Sequence, residues 1–108
     1  MEKTSTGLEA NVAGVLCYVL GWISGLIFIL IEKENKFVRF HAMQSIFVFG
    51  ALTVVGIIFN FIPVIGLVLN WIIYVLGFIL WVVLMVKAYQ GTKYKLPWFG
   101  DLADKQIG

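Results

Sequence analysis

The chain has 108 residues, 61% of them hydrophobic and 13% charged, with a formal net charge of +2. That balance excludes an ordinary soluble globular domain and gives no case for nucleic-acid binding, and the length leaves room for one domain. The distribution is sharper still: positions 10–31 and 42–86, 22 and 45 residues, hold no Asp, Glu, Lys or Arg. Helices built there have no charged face to turn to water.

A crossing helix needs about 20 apolar residues for a hydrocarbon layer of roughly 30 Å. Positions 10–31 therefore predict one span. Positions 42–86 are about twice too long for one helix at about 1.5 Å per residue and predict two. The turn falls at Asn60-Phe-Ile-Pro63-Val-Ile-Gly66, where Pro63 ends a helix for want of an N–H and Gly66 relieves the backbone beyond it. The expected architecture is all-α: an integral membrane protein with three transmembrane helices, at 10–31, 42–60 and 66–87. A short Pro-containing hairpin joins the last two, and residues 88–108 form an interfacial tail. The first run reads as a permanent span rather than a cleaved leader, because Glu2 and Glu9 outweigh Lys3 and no cleavage site is evident. A single Cys17 excludes an internal disulfide and reads as a small packing residue.

Three spans place the termini on opposite sides. Loop 32–41 and the tail then share Lys33, Lys36, Arg39, Lys87, Lys93, Lys95 and Lys105, against Lys3 alone on the other side. Positive residues favour the cytoplasm. The sequence thus predicts a plasma-membrane protein with its N-terminus outside and the loop and C-terminus inside. Lys93 and Lys95 in the tail are candidates for anionic headgroups.

Each span carries a face of small or polar residues, the kind that lets helices approach in lipid. On the first these are Ala10, Gly14, Cys17, Gly21 and Gly25; on the second Ala42, Ser45, Thr53, Gly56 and Asn60. The third has Gly66, Asn70, Tyr74, Gly77 and Trp81. The candidate packing positions are Gly14, Gly21, Gly25, Gly56, Asn60, Asn70 and Gly77. No ionisable residue lies inside a span, which argues against a stand-alone proton-coupled transporter. Three helices enclose no lumen, so conduction would require several copies or a partner.

The one polar constellation is Phe37-Val-Arg-Phe-His-Ala-Met-Gln-Ser45, where the loop enters the second span. Arg39, His41 and Gln44 are candidates for binding a headgroup, an anionic solute or a partner's carboxylate. The competing reading has Arg39 snorkelling and His41 and Gln44 bridging helices. One His and one distant Cys make no metal site. No third residue orients a His41–Ser45 pair for nucleophilic catalysis. No enzyme, cofactor or metal is expected.

Together with Asn11-Val-Ala, Lys87-Ala-Tyr-Gln-Gly91 and Lys95-Leu-Pro-Trp-Phe-Gly100-Asp-Leu-Ala103, this constellation resembles small membrane proteins related to the chloroplast inner-envelope import component. It is most similar to their uncharacterised bacterial and archaeal relatives, over about residues 9–104. The resemblance implies a compact multi-helix membrane protein and a part in moving polypeptides or solutes. Two functions fit: a subunit of an oligomeric channel or translocation component, or a non-conducting protein that organises lipid or membrane partners. The expected partners are the bilayer and a second copy or other membrane proteins.

Overall fold

The computed structural model describes Thr4, residues 7–96 and residues 98–107. Glu2 and Lys3 of the leader and Pro97 of the tail motif lie outside the described residues. Five helices follow in order: α1 (Ala10–Val19), α2 (Trp22–Ile31), α3 (Lys36–Phe59), α4 (Ile65–Tyr89) and α5 (Phe99–Ile107).

α3 and α4, of 24 and 25 residues, are long and apolar enough to cross a bilayer. At about 1.5 Å per residue each is roughly 36 Å long. α3 begins six residues before the expected start of the second span. The Asn35 side chain accepts from Val38 N at 3.1 Å and caps the helix, and Glu32 accepts from the amides of Glu34 and Asn35, each at 3.1 Å.

The expected first span is not one crossing helix. It is two arms of 10 residues, α1 and α2, each about 15 Å long, half the hydrocarbon layer. The chain reverses between them. Along α1, Asn11 donates to Tyr89 O at 3.1 Å, Cys17 donates to Val38 O at 3.6 Å, and Gly21 backs onto Phe49. Along α2 the order on α3 inverts: Gly25 lies against Ala42 and Ser45, and Arg39 reaches Ile29 and Glu32. α1 thus runs parallel to α3 and α2 returns beside it, so the hairpin enters and leaves at one end. The start of α1 accordingly sits at the same end as loop 32–35 and the close of α4, not at the opposite end as three crossings require.

The reversal has a local cause. Gly21 holds φ +64°, ψ −137°, a region open in practice only to glycine. Backbone groups freed at such a break must find partners, since lipid offers none. Here Leu20 N donates to Ser24 Oγ at 3.1 Å and Ser24 Oγ to Cys17 O at 2.9 Å. Ser45 Oγ donates to Gly21 O at 2.8 Å, and Trp81 Nε1 to Tyr18 O at 2.7 Å. Two of these four bonds come from the crossing helices and pin the tip of the hairpin.

The expected turn around Pro63 is present, with a division of labour the sequence reading missed. Ile65 N bonds to Pro63 O at 2.7 Å, and Val64, not Gly66, takes the positive φ of +62°, the geometry of a tight γ-turn. Gly66 is needed for space: a Cβ there would run into Phe59 O.

The interior is confined to the charged end. Ala10, Ala13, Cys17, Val38 and Ala42 pack between α1, α2 and α3, and Tyr18, Val48, Leu84, Ala88 and Leu96 between α1, α3, α4 and the tail. Beyond the tip of the hairpin only α3 and α4 continue. Most side chains there face outward, Phe61 of the turn and Trp71 at 83% and 71% exposure, while Gly66 and Asn70 are buried between the helices. The outer face of α2 is apolar too, with Trp22, Ile23, Leu26, Ile27 and Leu30 exposed, as a lipid-facing surface must be.

Candidate functional site

His41 and Gln44 sit one turn apart on α3, fully buried. His41 Nδ1 lies 2.6 Å from the Tyr18 hydroxyl and Nε2 3.2 Å from Thr92 O. A carbonyl can only accept, so Nε2 carries a proton and donates to Thr92 O, while Nδ1 and the phenol share the second hydrogen bond. Gln44 Nε2 donates to Tyr18 Oη and to Tyr94 O, both at 3.0 Å. Gln44 Oε1 accepts from Leu96 N at 3.0 Å. Phe37, Phe40 and Tyr18 stand edge-on around the imidazole, with ring centres 4.5, 5.2 and 5.5 Å away.

This network joins α1, α3 and the tail. Residues 92–96 descend along α3 beside His41 and Gln44, and α5 folds back on them, burying Ala103 completely. The tail expected to lie on the membrane surface is therefore partly docked. Lys93 and Lys95 each meet Asp104 at 2.5 Å. Lys93 Nζ also lies 4.9 Å above the Phe40 ring, within cation–π reach. Hydrogen bonding from the two lysines holds the Asp104 carboxyl below the usual carboxylate range, and the same contact pushes the Lys95 ammonium up.

Arg39 is turned to the other side of α3. Its Nη1 donates to Ile29 O at 3.2 Å and Glu32 O at 2.6 Å, closing carbonyls at the end of α2 that have no helical partner. The structure thus brings His41 and Gln44 together with Tyr18, groups Lys93 with Lys95 across Asp104, and keeps Arg39 with α2. Ser45, grouped with His41 by spacing, serves the hairpin tip.

The packing residues also divide. A Cβ on Gly25 would lie 2.7 Å from Ala42 O, and one on Gly14 3.1 Å from Phe37 and 3.2 Å from Ala88. Those two glycines set helix–helix contact. Asn60 Oδ1 accepts from Asn70 Nδ2 at 2.7 Å, clasping α3 to α4. Gly56 and Gly77 meet nothing nearer than 3.5 Å. Sequence reasoning missed Tyr18, Glu32 and Asn35. A phenol within an uncharged run needs a partner, and the Glu-Lys-Glu-Asn stretch before α3 is a capping signal, so both were open to detection.

Two helices long and apolar enough to cross a bilayer, a shorter apolar hairpin beside them and a polar knot at one end define a small all-α membrane protein. The profile of the magnetosome magnetite crystal formation protein family matches residues 2–103, and the chain belongs to that family. Among curated proteins it is similar to two UPF0132 membrane proteins of Methanocaldococcus jannaschii. One is 52% identical, over 97% of this chain and 94% of the relative; the other is 54% identical, over 92% and 71%. A UPF0132 membrane protein of Archaeoglobus fulgidus is 48% identical, over 94% of this chain and 98% of its own. No solved structure matches the chain. The kinship with uncharacterised prokaryotic membrane proteins is thereby shown, whereas nothing in these matches links the chain to the chloroplast import component.

Proposed function

We propose that the chain is a non-enzymatic, non-conducting protein of the plasma membrane that organises lipid or membrane partners. The observation that carries this reading is the closed network of Tyr18, His41 and Gln44, whose polar groups are spent on one another and on the chain's own backbone. Polar residues used this way hold the fold and line no passage. What remains for a partner is Lys93 and Lys95, two cations sharing one carboxylate; Arg39, on the other side of α3, is held by α2. Anionic headgroups, or an acidic segment of another membrane protein, suit that surface.

Among the described residues, Lys33, Lys36, Arg39, Lys87, Lys93, Lys95 and Lys105 lie at or near the end where the hairpin enters, and the turn at 60–64 has no charge. The positive-inside rule puts this end in the cytoplasm, and the hairpin brings the start of α1 there too. Reporters fused to either terminus are expected to read cytoplasmic. An external N-terminal reporter would restore the three-crossing arrangement.

The family description speaks of magnetite crystal formation. Holding iron at a membrane face calls for convergent oxygen ligands. Here Glu32 is turned to backbone amides and Asp104 to two lysines, so mineral chemistry stays outside the reading. The rival is an oligomeric channel or translocation subunit. Vesicles carrying the purified protein are expected to be as tight to ions and small solutes as protein-free vesicles. Saturable flux that scales with protein content would replace the present reading with the rival.

A further inference from the structure

Below the tip of the α1–α2 hairpin, α3 and α4 part to leave a cavity of about 510 Å³. Gly21 and Trp22 roof it, Gly56 and Gly77 line its walls, and Asn60 and Asn70 close its far end. We propose that this cavity is a slot for one hydrocarbon chain of a membrane lipid from the leaflet opposite the charged end, with the lipid's polar head beside Asn60 and Asn70.

Depth is the first argument. The hairpin arms reach about 15 Å into a hydrocarbon layer of roughly 30 Å. The space beneath the tip therefore opens sideways onto the other leaflet, and something in that leaflet fills it. Under the tip water is a poor candidate, since a buried water needs two to four polar partners and Thr53 Oγ is given to Phe49 O and Trp81 Nε1 to Tyr18 O. At the far end the Asn60 and Asn70 amides, which spend one donor and one acceptor on each other, and the Tyr74 hydroxyl keep polar capacity for a headgroup.

From Phe49 to Asn60 is 11 residues of α3, a slot about 16 Å long at about 1.5 Å per residue. The slot is open along one side, and its volume of about 510 Å³ has room for a polymethylene chain of that length, about 4 to 5 Å across at carbon contact distances.

The glycines point the same way. At Gly25 an added Cβ would strike a backbone carbonyl, so glycine there serves helix contact. At Gly56 and Gly77 the nearest atoms are 3.5 Å from an added Cβ, Asn70 Oδ1 and Leu52 Cδ1. Both line the cavity, where a Cβ would just touch the facing helix and a larger side chain would fill the space.

The inference rests on the two-crossing arrangement and not on the absence of flux, so the test below can fail while the vesicles stay tight. The full chain is purified in mild detergent, incubated with dioleoylphosphatidylcholine and weighed by native mass spectrometry. One lipid per chain is expected to persist. Gly56→Leu and Gly77→Leu should each cut the bound fraction at least tenfold, while Gly50→Leu, outside the slot and with nothing within 4 Å of its Cβ position, keeps it. Gly56→Ala with Gly77→Ala, a smaller filling, should lower it in part and guards against a Leu variant that fails to fold. A chain that keeps no lipid, a lipid kept equally by all variants, or a two-chain mass that the Gly56 and Gly77 variants abolish would each overturn the proposal, the last by assigning the slot to a second copy.

Discussion

Gln44→Ala is expected to release the tail and to cost about 3 kcal/mol of stability, the sum of several buried groups losing partners at about 1 to 3 kcal/mol each before relaxation. Three partners depend on that one amide: Tyr18 Oη, Tyr94 O and Leu96 N. Leu96 is buried, and the wild-type position offers its N–H no water. The measurement is limited trypsinolysis in detergent alongside thermal unfolding. In the wild type, docking of residues 92–96 on α3 and engagement of Lys93 and Lys95 by Asp104 protect cleavage sites that the variant should open. Gln44→Glu tests the mechanism, because an ionised carboxylate still accepts from Leu96 N but faces Tyr94 O with no proton to give, and burying that charge costs more than the lost bonds. It should open the tail at least as far as Gln44→Ala. Equal protease resistance in all three chains would show that the tail is held by other contacts.

The second large effect belongs to the hairpin. Gly25→Ala places a methyl 2.7 Å from Ala42 O and 3.0 Å from Ser45 Cβ, and over-packing of this kind costs about 1 to 3 kcal/mol. Gly25→Leu should unseat α2 altogether. Gly21→Ala is expected to be damaging for a different reason. Space is available there, with Phe49 3.6 Å from the Cβ position, but φ +64° with ψ −137° costs an alanine about 1 to 3 kcal/mol. Gly50→Ala, mid-helix with open space around it, should be neutral or stabilising, since alanine is the better helix former by about 1 kcal/mol. Unfolding midpoints of the four variants decide the matter. If Gly25→Ala behaves like Gly50→Ala, α2 does not sit where it is described.

These contrasts show what was legible in the residues. Hydropathy marks 10–31 as membrane-embedded whether the run crosses or doubles back, because both arrangements bury the same uncharged side chains in lipid. What decides is backbone conformation at Gly21 and the hydroxyls of Ser24 and Ser45. A small-residue face read at helical spacing conceals that, since Gly14 and Gly25 fall on one stripe of an ideal helix and still touch α3 after the chain reverses. The Pro63 turn was plain, because proline allows few alternatives and a 45-residue helix would overshoot the bilayer.

For the polar cluster, proximity of His41 and Gln44 follows from their i, i+3 spacing alone. Their partners do not: Tyr18 is 23 residues away and Thr92 is 51, and such pairings emerge only from the packing of α1 and the tail. The helix α5 escaped notice because nine residues with Asp101, Asp104 and Lys105 look like a solvated end. Only Phe99, Leu102 and Ala103 hint at an apolar edge.

The half-depth hairpin has a bearing on biogenesis. In the proposed two-crossing arrangement α1, α2 and the tail all start from the charged end, so the stretch carried through the bilayer during assembly is 60–64, which has no charge to dehydrate. A polypeptide of this shape needs no hydrophilic segment hauled to the far side, and its α3–α4 pair can partition into lipid as a single looped unit before the shorter arms fold in beside it.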